Sequence, residues 1–400
     1  MALTSSCSQA CIDQLRESPH DAGAVESFVL SAPARLTLMT RTCVLRFFFT
    51  AILVQLVLQS GASAQEFRGL KTKIKAVLDE QGVPGASVAI VVKDRIVWAE
   101  GIGTAEAGSK RPVTAMTLFQ AASISKPVAA IGALRLVEDG KLDLDKPIAG
   151  FLKSVEIEGT KSVSLRQLLS HTSGLAVHGF AGYEGGTPFP DLKQVLLGSP
   201  PANSSAIQPA TEAGKFKYSG GGYCVVQQLV QDVSGTAFPE AMNALVLQPL
   251  RMKDSTYAQP LTGEPLERAA AGHNASSGII AGKRNVYPEM AAAGLWTTAS
   301  DLARFAIAVQ QSYAGEKDSF LQQPTATQML TAQVEGGPGL GLFVTGDTTS
   351  GAFEHGGVNN GFKANLVATK RPGSVLVIMT NSDNGNKVYG AIQELIRKSR

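Results

Sequence analysis

Two kinds of apolar spacing divide the chain. Phe67, Leu70, Ile74 and Leu78 recur three or four residues apart, which predicts an amphipathic helix over 67–81, stopped by Gly82-Val83-Pro84-Gly85. Residues 87–92 and 96–102 are β-rich runs joined by Lys93-Asp94-Arg95, the pattern of a hairpin. Near the other end, 352–356, 362–369 and 374–380 read as three more strands, with Pro372-Gly373 turning between the last two, and 387–397 reads as a closing helix. The middle is helix-rich and punctuated by Gly and Pro, with longer helices predicted at 128–138 and 224–233. This order predicts one α/β domain split by an insertion. A five-stranded antiparallel sheet would draw on both ends (about 65–155 and 285–400), and the insert, about 156–284, would be mainly helical. No repeat at 20–50-residue spacing is visible, which excludes solenoids and propellers.

The first 64 residues differ from the rest. From Met39 a short basic segment with Arg41 and Arg46 leads into a largely apolar run, 47–58, and then to Ala62-Ser63-Ala64. That order is the pattern of a secretory signal peptide over 39–64, cut near Ala64. The run falls short of the roughly 20 residues a membrane-spanning helix needs, so no stable membrane anchor is expected after cleavage. Residues 1–38 read as a leader without a fold of its own, and either Met1 or Met39 is the true start. The expected product is a secreted, periplasmic protein of residues 65–400. Cys7, Cys11 and Cys43 leave with the leader; Cys224, in the apolar run Tyr223-Cys224-Val225-Val226, reads as a packing residue.

Composition narrows the class. With 44% apolar residues the chain can fill a core, and a net charge of +3, mixed along its length, gives no basic surface for nucleic acid. His171, His178, His273 and His355 form no His-Glu-x-x-His pattern, so neither a metal nor a cofactor is expected.

The candidate chemistry lies in three stretches. Ser123-Ile124-Ser125-Lys126 is the one Ser-x-x-Lys in the chain and opens a predicted apolar helix. Residues three apart on a helix share a face, and a serine at the N-terminus meets free N–H groups. A serine hydroxyl attacks only once a neighbouring base takes its proton, and Lys126 stands at the right spacing. In Phe216-Lys217-Tyr218-Ser219-Gly220-Gly221-Gly222-Tyr223 a tyrosine precedes a glycine run; close to an ammonium, a phenol can serve as proton acceptor. Glu354-His355-Gly356-Gly357-Val358-Asn359-Asn360-Gly361-Phe362 overlaps two predicted strands, and its glycines would let a substrate approach the backbone.

These stretches, in this order, resemble the serine hydrolase family of class C β-lactamases, D-alanyl-D-alanine peptidases and related esterases. Leu168-Leu169-Ser170-His171-Thr172-Ser173-Gly174-Leu175 and the stretch from Gly294 to Phe305 add to the likeness, which covers about 67–395. The resemblance implies a β-lactamase/penicillin-binding-protein-like fold and a metal-free acyl-enzyme mechanism. By it Ser123 matches the nucleophile, Lys126 its base and Tyr218 the proton relay, while His355, Gly356 and Gly357 match the third motif on the strand lining the site. The backbone N–H groups of Ser123 and Val358 would form the oxyanion hole.

Two positions depart from the family pattern. Tyr-x-Asn is here Tyr218-Ser219-Gly220, so Gly220 brings no amide to a substrate, and where many β-lactamases carry a lysine this chain has His355. Both changes weaken recognition of an anionic acyl-amide, and a lysine at 355 would favour carboxylate-bearing substrates. The resemblance, together with the signal segment, therefore implies a secreted hydrolase of small esters or peptide-like amides. The alternatives are a β-lactamase or D,D-carboxypeptidase acting on β-lactams or peptidoglycan stems, and a non-catalytic relative that binds cell wall or a partner. Ser382-Asp383-Asn384 spells a β-lactamase motif in the wrong order and reads as a turn. His171 reads as structural, and Trp296 as core or pocket wall.

Overall fold

A computed structural model describes Phe67 and residues 69–399. The leader 1–38, the signal segment 39–64 and its cleavage point lie outside the described residues. No described helix is long and apolar enough to cross a membrane.

The helix α1 (Leu70–Glu80) is followed by β1 (Gly85–Val92) and β2 (Arg95–Gly103). Further on come α2 (Ser125–Glu138), α3 (Gly220–Ser234) and α4 (Ala299–Ala314). The chain closes with β3 (Phe343–Thr345), β4 (Ala352–Asn359), β5 (Phe362–Thr369), β6 (Ser374–Thr380) and α5 (Tyr389–Lys398). One antiparallel sheet runs β2-β1-β6-β5-β4-β3. The two ends of the chain therefore meet in it, with Ile90 opposite Leu376. The five long strands are those expected. The sixth, β3, is a three-residue edge strand against Ala352–Glu354, too short to leave an alternating pattern in the sequence.

Burial explains why β1 reads as an unbroken apolar run. All eight of its residues are buried. Val88 and Ile90 pack with Leu70, Ile74, Leu78, Ile392 and Ile396 under the terminal helices, while Ala89 and Val91 join the larger core with the inner helices. A strand covered on both faces has no polar side to alternate with.

The segment 156–284 carries α3, the short helices Leu165–Leu169, Leu192–Leu197, Phe238–Met242 and Gly263–Arg268, and the two-residue strand Tyr183–Glu184. Both α2 and α3 begin earlier than their apolar periodicity predicts. Ser219 caps α3 by accepting the Gly222 N–H at 2.9 Å, which lets three glycines form its first turn. Cys224 is buried in α3, and burial holds its thiol well above the ordinary range, as a packing residue requires. Ser382-Asp383-Asn384 is a turn after β6: Asp383 Oδ1 accepts the Gly361 N–H at 3.0 Å and pairs with Lys363 at 2.6 Å.

Candidate active site

Ser123 lies in the 3₁₀ turn Ala122–Ile124 that leads directly into α2. The turn is pinned from two sides. Ala121 N–H donates to Leu295 O at 2.9 Å, and the Ser125 hydroxyl donates to Ala122 O at 2.6 Å while accepting the Leu295 N–H at 2.9 Å. Ser125, inside the Ser-x-x-Lys tetrapeptide, thus belongs to the scaffold, and half-buried Ser123 is the serine left facing the site. Ala122 holds φ +50°, a left-handed conformation uncommon outside glycine.

The strand β4 packs along this turn. A Cβ at Gly357 would stand 2.2 Å from Ala121 O, so only glycine allows that approach. Paired with β5 as far as Asn359 opposite Phe362, β4 runs past the 352–356 that the sequence predicts. Gly356 and Val358 are exposed, whereas His355 and Gly357 are buried.

Lys126, 2% exposed, reaches back from the first turn of α2. Its Nζ donates to Ala292 O at 2.8 Å and to Ser123 Oγ at 3.2 Å. The same Nζ lies 5.0 Å from the centre of the Tyr218 ring and 5.8 Å from that of Tyr223. Of these two phenols, Tyr223 is buried and bonded to Leu169 O at 3.0 Å; half-buried Tyr218 is the one open to the site.

His171 sets the position of Tyr218. Its carbonyl accepts the Lys217 N–H at 2.9 Å and its Nδ1 accepts the Ser219 N–H at 3.1 Å, so both peptide neighbours of Tyr218 are tied to one residue. The two rings stack with centroids 4.2 Å apart. An Nδ1 that accepts must be unprotonated, and the proton of the neutral ring then sits on Nε2. Burial, then the charge of Lys126, push the imidazole well below its ordinary pKa. Through these contacts His171 holds the Tyr218 ring and both of its peptide neighbours.

His355 is 3% exposed and lies between Tyr218 (6.4 Å between ring centres) and Phe343 (5.6 Å). Its Nδ1 is 2.6 Å from Gly356 O, and its Nε2 meets no partner among the described residues. Burial, then Lys126, lower its pKa to about 3, so the ring is neutral at physiological pH and gives an anionic group no cation to bind.

Gly220 is buried beneath a strap of chain, 176–180. Its N–H donates to His178 O and that of Gly221 to Val177 O, each at 3.0 Å, while the Ser219 hydroxyl donates to Ala176 O at 3.1 Å. Val177 holds φ +67°, strain of about 1–3 kcal/mol for such a residue. The strap and the Ala292 carbonyl are the parts of the site that sequence reading missed. Three consecutive glycines at 220–222 were the available signal, since they mark a close backbone approach.

The turn Met290–Ala293 that supplies Ala292 O starts from Glu289, whose carbonyl accepts the Ala292 and Ala293 N–H groups at 3.0 and 2.9 Å. The Glu289 side chain is fully buried, and neither oxygen meets a partner among the described residues. Burial raises its pKa from 4.5 to about 7. A carboxyl raised on folding contributes fully below 4.5 and loses that contribution as pH climbs through 7, here roughly 3 kcal/mol. Glu289→Gln should therefore gain stability on the wild type by roughly that amount between pH 4.5 and 8. Denaturant unfolding at the two pH values checks this, and a pH-independent difference would count against a buried, unpartnered carboxylate.

A model of the Beta-lactamase family matches residues 70–399. The human mitochondrial serine beta-lactamase-like protein LACTB is 36% identical over 120 residues, 29% of this chain and 22% of LACTB. Esterase EstB of Burkholderia gladioli is 27% identical over 234 residues, 54% of this chain and 58% of EstB. The matches thus span less than two thirds of either relative's length. The solved structure of the D-alanine carboxypeptidase AmpC from Burkholderia cenocepacia superposes with a TM-score of 0.67 at 18% identity, covering 84% of this chain and 99% of that one. Because the family match runs through every element that builds the Ser123–Lys126–Tyr218 cluster, from α1 to α5, the chain belongs to the beta-lactamase family.

Proposed function

We propose that the protein hydrolyses small esters, or peptide-like amides, through an acyl-enzyme on Ser123. The observation that carries this reading is the buried Lys126 amine, 3.2 Å from Ser123 Oγ and under the ring of Tyr218. Ser123 passes its proton to the Lys126–Tyr218 pair as Oγ bonds to the carbonyl carbon. The oxygen that gains the electron pair is held by the backbone N–H groups of Ser123 and Val358. Collapse breaks the bond to the alcohol or amine, which leaves with the proton returned through Tyr218. Water then repeats the sequence: its proton goes to Tyr218, its oxygen attacks the acyl carbon, and Ser123 Oγ departs and is reprotonated.

Esters are favoured over β-lactams because the two positions that would hold an acyl-amide and a carboxylate are Gly220 and a neutral His355. The similarity to an esterase is consistent with that choice. Comparing kcat/KM for p-nitrophenyl butyrate and a chromogenic cephalosporin tests it. The ester should lead by about a hundredfold or more. The reverse order would assign a β-lactamase, and turnover of neither substrate by folded protein would favour a binding module.

A further inference from the structure

Three imidazoles surround the Tyr218 ring, those of His171, His178 and His355, with centroids 4.2, 4.9 and 6.4 Å away. His171 and His355 are buried, while His178 is exposed. His178 is thus the histidine of this cluster that a molecule entering beside Tyr218 can touch. Partial burial, then the charge of nearby Lys126, lower the pKa of its ring from the ordinary value.

The strap carrying His178 occupies room that a side chain at position 220 would need. A Cβ on Gly220 would lie 2.9 Å from His178 O and 3.1 Å from the Phe180 ring. The strap is held there by the Gly220 and Gly221 N–H groups, with Val177 at positive φ. An amide at position 220 and this strap exclude each other. One gives a polar group to an acyl-amide, and the other gives the flat faces of an imidazole and a phenyl ring.

We propose that the strap 177–180 is the acyl-side wall of the site, with His178 as its specificity-determining residue, and that it selects esters whose acyl group is apolar or aromatic and carries no amide beside the scissile carbonyl. The assignment rests on the ester-hydrolase reading above and names the substrate class of that same site. The imidazole face packs against the acyl group and takes no part in proton transfer. Its removal therefore raises KM for large acyl groups and leaves kcat and small acyl groups nearly untouched.

The test compares p-nitrophenyl phenylacetate with p-nitrophenyl acetate in wild type, His178→Ala and His178→Phe, with active sites counted by fluorophosphonate labelling. The wild type should prefer the phenylacetate, and His178→Ala should cut that preference by about tenfold through KM, with labelling intact. His178→Phe, which keeps a flat ring, should restore most of it. An unchanged preference in a labelled His178→Ala enzyme, or a loss that falls on kcat for both esters, would overturn the assignment and leave the hydrolase reading standing. A wild type that cleaves neither ester and takes no label would remove the hydrolase reading, and the assignment with it.

Discussion

Ser123→Ala should reduce kcat/KM for p-nitrophenyl butyrate by at least about a thousandfold, because it removes the hydroxyl that takes up the acyl group. The substitution is a clean one. Ser123 Oγ is half-buried, and its hydrogen bond is to Lys126, whose amine keeps the Ala292 carbonyl at 2.8 Å. The turn itself is held by Ser125 and Leu295, so the thermal midpoint should stay near that of the wild type. Neighbouring Ser125 cannot substitute, since its hydroxyl is already committed to Ala122 O and the Leu295 N–H. Steady-state rates beside a melting curve decide the matter, and a folded variant retaining more than a tenth of the activity would rule out the acyl-enzyme at this residue.

Tyr218→Phe should lose about 10²–10⁴-fold in kcat, the range for removing a positioned proton-transfer group, with KM little changed. Its ring would remain stacked on His171, and the backbone bonds from Lys217 and Ser219 to His171 do not involve the phenol. A drop confined to kcat therefore reports the hydroxyl and not the packing. Pre-steady-state mixing adds a second readout. If Tyr218 serves both halves of the reaction, the p-nitrophenol burst slows along with turnover. A burst of wild-type rate followed by slow turnover would restrict the phenol to deacylation.

Much of this arrangement is legible in the sequence, for definite physical reasons. The helix α1 follows from an apolar stripe that recurs about every 3.6 residues, and the five long strands follow from β-rich runs bounded by turn residues, unbroken in β1 and β6 where both faces are covered. Ser123 and Lys126 were visible as a pair because three residues on a helix bring two side chains to one side. Their link to Tyr218 was legible only through the likeness of several motifs to a known family, since Tyr218 lies far along the chain and its ring reaches Lys126 through tertiary packing. The partners invisible in the sequence act through backbone. Ala292 contributes a carbonyl and the Leu295 peptide pins the nucleophile turn, and neither needs a particular side chain. The place of His178 beside Tyr218 could not be read because it depends on a strained φ at Val177 and on an empty Cβ position at Gly220. The edge strand β3 was too short to show a period, and β4 extends past its predicted end at residue 356 through Gly357, which allows close packing against Ala121 O.

Peptide mapping by mass spectrometry after brief exposure of the folded protein to a fluorophosphonate tests the central claim most directly. A single phosphonyl adduct on Ser123, formed in wild type and absent from Ser123→Ala, is the predicted result. An adduct on another serine, or none at all in protein shown to be folded, would contradict it.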